Sequence, residues 1–368
     1  MNGKQNISSL FVFMVMLTTL LTFSGQCSIA SAKTLIVDSG GAGNYAGIQE
    51  AIDNAESGDT ILVNPGTYTE NLELDIKLKV WSDSRNPDDT IIKAADSEKY
   101  VVEIKADEAT FSGFGVQGSE KAGIYLEEAD KCFISNNKVL DSEYGIYLKD
   151  SNKNSIISNI LSLNEVGMRL ETSDGNTINA NIIAYNYGYG ASVAESTDNL
   201  IYNNYFKNRE NVEKNSDNSE NIWSTALNSK KNIVRGPYIA GNFWANLEGN
   251  GYSETGEDEN ENGICDTPYV AGWGGTDESP LTPKVPEAID IIEDKLDRAA
   301  YKKGLSSKNG EELKENETEI YSESPSESPG ETSSENETSG KTNGSPGPGI
   351  VIALLVTGVV YLIEKKKR

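Results

Sequence analysis

Apolar and polar residues alternate along much of this chain, and between residues 123 and 206 the alternation recurs with a period of 22 or 23 residues. Each repeat contains an isoleucine, followed three positions later by an asparagine. The isoleucines are Ile134, Ile156, Ile178 and Ile201, and the asparagines are Asn137, Asn159, Asn181 and Asn204. A fixed period of this length predicts a solenoid, because one repeat cannot bury its own apolar face and has to stack on the next.

The spacing inside each repeat indicates the type of solenoid. Apolar residues two positions apart, in short runs separated by Asn, Ser, Asp and Gly, are typical of strands joined by turns. Two or three such strands per repeat predict one coil of a parallel β-helix, with coils about 4.8 Å apart. We expect the isoleucines to stack inside and the asparagines to form a ladder at a bend, the alternative being solvated turn residues. Dividing the span by the period predicts about nine or ten coils.

The N-terminal part predicts two further features. Residues 1–32 have the basic start, apolar core and small-residue cleavage site of a secretory signal, the alternative being an uncleaved anchor. Residues 46–55 predict a short helix, because Ile48, Ala51 and Ile52 fall on one helical face.

Residues 45–71, YAGIQEAIDNAESGDTILVNPGTYTEN, resemble the opening of pectin-lyase-like right-handed β-helices, especially their NosD-like (periplasmic copper-binding) and archaeal cell-surface branch. The resemblance implies that helix 46–55 closes the first end of the β-helix, where unpaired strand edges would be exposed. Together with the repeat, it predicts an all-β fold, a right-handed single-stranded parallel β-helix over residues 33–285. The chemistry stays open, because this fold carries lyases, hydrolases, epimerases and binding modules.

The acidic composition, the absence of histidine and the small number of Cys and Met residues limit the functions that are possible. The chain has 57 acidic and 32 basic residues, which disfavours nucleic acid and anionic lipid headgroups as partners. It has no histidine, which excludes His-dependent catalysis and His-ligated metal sites. The copper role implied by the NosD resemblance is disfavoured too, because Met168, Cys132 and Cys265 are the only soft ligands after residue 32. A disulfide between the two widely separated cysteines is not expected.

Residues 236–281 resemble the segment that closes NosD-like surface β-helices and contain a calcium-type loop. Side-chain oxygens at alternate positions, a glycine, a backbone carbonyl and a further carboxylate suit Ca²⁺. The predicted ligands of a structural Ca²⁺ are Asp258, Asn260, Asn262, Ile264 through its carbonyl, Asp266 and, as the resemblance implies, Asp277. The loop departs from the EF-hand pattern at Tyr269, where a bidentate glutamate is expected, and an acidic solvated turn is the alternative.

The aromatic residues of the same block are expected to pack as a second cap. They are Tyr238, Phe243, Trp244 and Trp273. The alternative is an exposed platform for sugars.

The residue pattern and composition change after residue 283. Residues 286–303 predict one amphipathic helix, with Ile289, Ile292 and Leu296 on one face. Residues 304–348 are rich in Glu, Ser, Thr and Pro, which predicts an extended, disordered stalk. Glycosylation triplets occur in this stalk at Asn316, Asn336 and Asn343.

The last residues predict membrane attachment. Residues 349–363 form an apolar run, and the basic tail 364–368 is expected to stay cytoplasmic, which leaves the β-helix outside the cell. Such a run is about 22 Å long as a helix, short of a bilayer core of about 30 Å. The alternative is a cleaved sorting signal, as a resemblance to archaeal C-terminal signals implies.

Three function classes fit these patterns. We favour a non-catalytic, envelope-anchored surface protein, structural or adhesive, with a polysaccharide or another envelope component as partner. A carbohydrate-active enzyme, lyase or epimerase, is the first alternative, and it would draw on an outward-facing arginine such as Arg169. A glycosidase pair does not stand out among so many acidic residues, so no catalytic residue is predicted. A NosD-like metal-handling protein is the second alternative, and the oligomeric state stays open.

Overall fold

A computed structural model describes residues 31–214, 220–271, 275–283 and 287–309 of this chain. The chain winds into a right-handed parallel β-helix, which confirms the fold predicted from the repeat. The first sheet has eight parallel strands, which correspond to about eight coils. They are β1 (Thr34–Val37), β2 (Thr60–Val63), β5 (Lys79–Ser82), β8 (Thr110–Ser112), β10 (Phe133–Ser135), β12 (Ser155–Ile157), β15 (Thr177–Asn179) and β18 (Leu200–Tyr202).

The second sheet has thirteen strands and covers two sides of the coil. They are β3 (Gly66–Thr69), β4 (Leu72–Leu74), β6 (Thr90–Lys93), β7 (Val102–Ile104), β9 (Gly115–Glu127), β11 (Lys138–Lys149), β13 (Ile160–Leu161), β14 (Val166–Glu171), β16 (Ile182–Ala184), β17 (Tyr189–Ala194), β19 (Tyr205–Lys207), β20 (Glu210–Val212) and β21 (Phe243–Ala245).

Strand β11 belongs to both of these sides. Its first residues pair with β13, and its last residues pair with β14. The register between β9 and β11 shifts between Ser142 and Tyr144, where the strands turn the corner. We call the side of β13, β16, β19 and β21 the short face, and the side of β14, β17 and β20 the tyrosine face.

The predicted isoleucine column is confirmed. Ile134, Ile156, Ile178 and Ile201 pair with one another in register in the first sheet, and all four are buried. The column continues toward the N-terminus through Phe111, which lies beside Ile134. Like residues therefore stack on like residues along the interior.

The glycine of each repeat is explained by close packing of backbones. A Cβ atom on Gly167 would lie 2.6 Å from the carbonyl oxygen of Gly190 in the next coil. Any side chain at this position would push the two coils apart, which explains why glycine recurs there.

The predicted asparagine ladder is also confirmed. The backbone N–H and the side-chain amide of Asn159 both donate to Oδ1 of Asn181, at 2.9 and 3.1 Å. The same bonds join Asn137 to Asn159, Asn181 to Asn204, and Asn204 to Asn242. These side chains are buried, so the ladder satisfies polar groups that water cannot reach.

Two further asparagine ladders stand at the other corners. One contains Asn154, Asn176, Asn199 and Asn221, and the other contains Asn164, Asn186, Asn208 and Asn211. A shorter series of serines, Ser151, Ser173 and Ser196, links successive coils in the same way. Every bend of the regular coils therefore has its own column of side-chain hydrogen bonds.

Helix α1 (Ile48–Asp53) closes the first end of the β-helix, as the resemblance implied. Ile48, Ala51 and Ile52 are buried against the first coils. The Glu70 carboxylate accepts hydrogen bonds from the backbone N–H groups of Ile48 and Gln49, at 2.9 and 2.8 Å. An acidic group at this end of a helix satisfies N–H groups that have no partner within the helix.

The second end is closed by a short helix and a hairpin. These are α2 (Tyr252–Thr255) and the antiparallel pair β22 (Tyr269–Ala271) and β23 (Gly275–Asp277). Phe243 and Trp244 are buried, stacked on Tyr205 and Phe206 of the preceding coil. They therefore pack as the cap that the sequence predicted, while Trp273 lies outside the described residues.

The predicted single helix over residues 286–303 is two helices in the structure. They are α3 (Glu287–Glu293) and α4 (Arg298–Asn309), which together we call the arm. The helix breaks because the Asp297 carboxylate accepts a hydrogen bond from the Ala300 N–H at 2.8 Å and so begins α4 as a cap. The end of α4 also lies beyond residue 304, where the stalk was expected to begin.

The arm packs against the short face through aromatic and ionic contacts. The Glu293 carboxylate accepts hydrogen bonds from the hydroxyls of Tyr185 and Tyr205, and from Nζ of Lys207 at 3.0 Å. The Tyr301 ring lies 5.3 Å from the rings of both Tyr185 and Tyr187. The arm is therefore fixed to the side of the β-helix.

The predicted number of coils, nine or ten, was too high because the last part of the span is not regular coil. Asn204 and Asn242 occupy successive rungs of one ladder but are 38 residues apart instead of 22 or 23, so the last coil is longer than a regular repeat. Within the described ranges, no helix is long and apolar enough to span a bilayer. Residues 1–30 of the signal sequence, residues 310–348 of the stalk with its three glycosylation triplets, the apolar run and the basic tail lie outside those ranges.

Candidate functional site

The tyrosine face carries a row of four tyrosine rings in contact, of which Tyr125 is buried and the other three are partly exposed. The rings of Tyr100 and Tyr125 are 4.1 Å apart, and Tyr147 lies 5.1 Å from both Tyr125 and Tyr144. Tyr125 and Tyr147 occupy equivalent positions of neighbouring coils, because β9 and β11 pair in register there. The row therefore runs along the axis of the β-helix.

The next coil continues the row with a cation. Arg169 pairs with Tyr147 in register, and its guanidinium lies 5.7 Å from the rings of Tyr144 and Tyr147. Nε and Nη2 of Arg169 donate to the Glu171 carboxylate at 3.1 and 2.7 Å, and the Tyr147 hydroxyl donates to it at 2.9 Å. The predicted outward position of Arg169 agrees with this geometry.

The protonation states of Arg169, Glu171 and Tyr147 favour contact with a ligand over proton transfer. Hydrogen bonds from Arg169 lower the pKa of Glu171, which keeps this carboxylate charged. Burial raises the pKa of Tyr147 to about 12, which keeps its phenol protonated. A lyase base would have to lose a proton, but the bidentate pair with Glu171 holds Arg169 as a cation. The tyrosine face is therefore suited to binding.

The spacing of tyrosines in the sequence also indicates this row. Tyr125 and Tyr147 are 22 residues apart, like the isoleucines. Tyr100 and Tyr144 are 44 residues apart, which is two repeats, and Ala122 occupies the equivalent position of the repeat between them.

The predicted calcium loop is a compact turn. The Asp258 carboxylate accepts hydrogen bonds from the N–H groups of Asn262 and Gly263, both at 2.8 Å. The Asp266 carboxylate accepts one from the Glu259 N–H at 2.8 Å, and Asn260 lies 3.4 Å from Asp266. Oδ1 of Asn262 accepts a hydrogen bond from the Ile264 N–H at 2.8 Å, while Gly263 has a φ of 85°. The side-chain oxygens of this turn thus accept hydrogen bonds from its own backbone.

Asp277 has hydrogen-bond partners outside this turn. Its carboxylate accepts hydrogen bonds from the N–H groups of Asn242 and Ser279, at 2.7 and 3.1 Å, and from Nε1 of Trp244 at 2.8 Å. It is fully buried, and burial raises its pKa to about 6. In the structure Asp277 ends the ladder that begins at Asn137, and its part in the calcium site stays a prediction.

No metal centre of acidic or soft ligands stands out. Within the ranges that the structure describes, no group of three or more His, Cys, Asp and Glu side chains is placed to hold a metal ion. The calcium loop, with its asparagine and carbonyl oxygens, therefore stays a prediction.

The residues present do not fit copper. Cys132 and Cys265 are buried free thiols, and burial raises their pKa values to about 11 and about 12. Met168 is buried in the interior, with 1% of its surface exposed. Copper needs deprotonated thiols, thioethers or imidazoles gathered at one place, and the chain has no imidazole.

Comparison with solved structures finds distant similarities. Pectin methylesterase PemA from Erwinia chrysanthemi is 12% identical with a TM-score of 0.36, and the match covers 55% of this chain and 74% of that one. An alginate lyase from Paenibacillus sp. strain FPU-7 is 16% identical with a TM-score of 0.33, over 49% of this chain and 75% of that one. Similarities at this level say nothing about activity.

Two sequence similarities are more specific. A protein named "Cell surface glycoprotein" from Methanothermus fervidus is 34% identical over 131 residues, which are 35% of this chain and 21% of that protein. The chain thus spans about a fifth of the length of this relative. The model of a family described as "Periplasmic copper-binding protein (NosD)" matches residues 52–249, which is more than half of the chain. This chain therefore belongs to the NosD family of parallel β-helix proteins.

Proposed function

We propose that this protein is a non-catalytic rod of the cell surface whose tyrosine face contacts glycans. The observation that carries the proposal is the row in which Tyr147 and Arg169, both partly exposed, follow Tyr100 and the buried Tyr125 along the axis. A row along the axis suits an elongated ligand, because a polymer chain would meet the same kind of group at each coil. Aromatic rings and a fixed arginine–glutamate pair offer the apolar surface and the hydrogen-bonding groups that a sugar chain needs.

The location at the cell surface is supported by sequence. Residues 1–32 and 349–368 have the patterns of a secretory signal and of a membrane anchor or sorting signal, and the relative from Methanothermus fervidus is named as a cell surface glycoprotein. Glycosylation at Asn316, Asn336 and Asn343 is part of the same proposal. Mass spectrometry of the mature C-terminus separates the two forms of attachment, because an intact Arg368 is incompatible with processing.

A glycan array with the full-length protein tests the contact function. We expect binding to extended glycans that decreases at least about tenfold in Tyr147→Ala and Arg169→Ala, since each removes a contact of about 1–3 kcal/mol. Lys79→Ala, an exposed change on the first sheet, is the matched control and should leave binding intact. Equal binding by all three variants would show that the tyrosine face is not the contact surface.

The same proteins test the alternatives. Incubation with acidic polysaccharides should give no unsaturated products, and turnover that is lost in Arg169→Ala would show a lyase instead. Titration with copper should give no binding beyond that of a histidine-free control protein, because the thiols and the thioether are buried.

A further inference from the structure

A cleft lies at the bend between the first sheet and the short face, beside the arm. It has a volume of about 350 Å³, and Arg85, Asn136, Lys138 and Lys295 line it. A second cavity of about 110 Å³ shares Arg85 and Asn136 with it and is lined by Trp81 and Phe133 as well. Because they share two residues, the two cavities form one surface, which we call the Arg85 cleft.

The cations of the Arg85 cleft are unusual for so acidic a chain. The guanidinium of Arg85 lies 5.1 Å from the centre of the Trp81 ring, a cation–π contact that leaves its N–H groups available. In the described part of the chain, neither Arg85 nor Lys295 forms an ion pair with a carboxylate. This is notable in a chain with a net charge of −25, where acidic partners are abundant.

Two carboxylates also line the cleft, and they do not cancel its charge. Lys138 is paired with Asp88 at 2.8 Å, and Asp294 is the second acidic residue. Arg85, Lys138 and Lys295 outnumber these two acids, so the cleft favours an anion against the background of the whole molecule.

The cleft also has apolar and hydroxyl groups. Phe133 has 41% of its surface exposed, which is high for a large aromatic residue in a chain whose other rings are mostly packed. The hydroxyls of Ser112 and Ser135, 2.9 Å apart on neighbouring coils, lie beside it. An inorganic anion would use the cations but leave Phe133 uncovered, whereas a neutral sugar would cover the ring but leave the cations unused.

We propose that the Arg85 cleft binds a carboxylate-bearing sugar residue of a glycan. Arg85 and Lys295 hold the carboxylate, for which the planar guanidinium offers two parallel N–H groups. The C–H face of the sugar ring packs on Phe133, and Asn136 bonds its hydroxyls. The site lies away from the tyrosine face, so the inference does not depend on the function proposed for that face.

Calorimetric titration of the full-length protein tests this site with three probes. They are an oligosaccharide that ends in glucuronic acid, its counterpart that ends in glucose, and inorganic sulfate. We expect the glucuronate probe to bind at least about tenfold more tightly than either of the others, because only it engages both the cations and the ring. Its affinity should decrease as salt is added.

Variants locate the binding. Arg85→Asn should lower the affinity for the glucuronate probe at least about tenfold, and asparagine tolerates the φ of 55° at this position. Lys295→Gln on the exposed surface of the arm should lower it as well, without a change in the β-helix. Lys230→Gln, at an exposed lysine outside the cleft, is the matched control and should retain full affinity. Arg169→Gln is measured alongside and reports any binding at the tyrosine face.

Two results would overturn the inference. Equal affinity for the glucuronate and glucose probes would show that the carboxylate is not recognised. Loss of binding in Arg169→Gln with retention in Arg85→Asn would place the ligand on the tyrosine face, which supports the function proposed there and rejects the Arg85 cleft.

Discussion

The coils and the arm are held in place in opposite ways. In the coils, one type of hydrogen bond recurs at each corner, as between Asn159 and Asn181, and each rung resembles the next. The arm depends on one carboxylate, that of Glu293, which accepts hydrogen bonds from three different donors. A repeat thus distributes its stability along the molecule, whereas an attached element concentrates it in one residue. The predictions below test this contrast.

The largest effect is expected inside a ladder. Asn181→Ala removes the acceptor of two buried donors on Asn159, each of which costs about 1–3 kcal/mol when left without a partner. We expect a loss of about 3 kcal/mol in the free energy of unfolding, measured by denaturant titration. Asn228→Ala, at an exposed asparagine, should change it by less than about 0.5 kcal/mol. Similar values for the two variants would refute the structural role of the ladder.

A smaller and local effect is expected in the arm. Glu293→Gln replaces a charged acceptor by an amide, and this should cost about 2 kcal/mol of arm docking because the bonds from two tyrosines and Lys207 weaken. Hydrogen exchange should increase in residues 287–309 and stay unchanged in β12 and β15. Faster exchange throughout the coils would contradict the separation of the two regions.

Low pH should also detach the arm from the short face, because it protonates the Glu293 carboxylate. Burial alone would raise the pKa of Glu293, but the bonds from Tyr185, Tyr205 and Lys207 lower it below the usual 4.5. A lowered pKa in the folded state means that the stabilisation is present above pH 4.5 and is lost as the pH falls through the folded value. Proteolysis of the arm should therefore accelerate only below pH 4.5, and Glu293→Gln should remove this dependence.

The smallest effect is expected from calcium. If the loop from Asp258 to Asp266 binds Ca²⁺, a tenfold excess over Kd adds about 1.4 kcal/mol, which EDTA removes. Asp258→Asn should abolish this increment. Asp277→Asn should destabilise the protein equally with and without Ca²⁺, because Asp277 bonds to Asn242 and Trp244. An increment lost only in Asp277→Asn would restore Asp277 as a ligand.

Sequence alone predicted those parts of the structure that repeat. The isoleucine column and the first asparagine ladder follow from identical residues at equal spacing, because every coil imposes the same environment. The second and third ladders had the same signal, since Asn154 and Asn176, and likewise Asn164 and Asn186, are 22 residues apart. They are harder to recognise because the residue three positions earlier is not a constant isoleucine. It is Ser151 or Ser173 in one ladder, and Leu161 or Ile183 in the other.

The features that occur once could not be predicted in this way. Glu293 meets Tyr205 across 88 residues, and no pattern near either residue indicates the other. The break before α4 depends on Asp297 as a cap within an otherwise continuous apolar periodicity. The Arg85 cleft combines Arg85, Phe133 and Lys295, which share no spacing. Such contacts are fixed by the path of the chain in three dimensions.

The ladders also determine how this molecule can change in size. Each rung requires only that the same amide recur one coil later, and the last rung ends on the carboxylate of Asp277. Duplication or deletion of one whole repeat would therefore leave both ends matched, and would lengthen or shorten the rod by about 4.8 Å. A protein built in this way can change the length of its β-helix in fixed increments while its end caps stay the same.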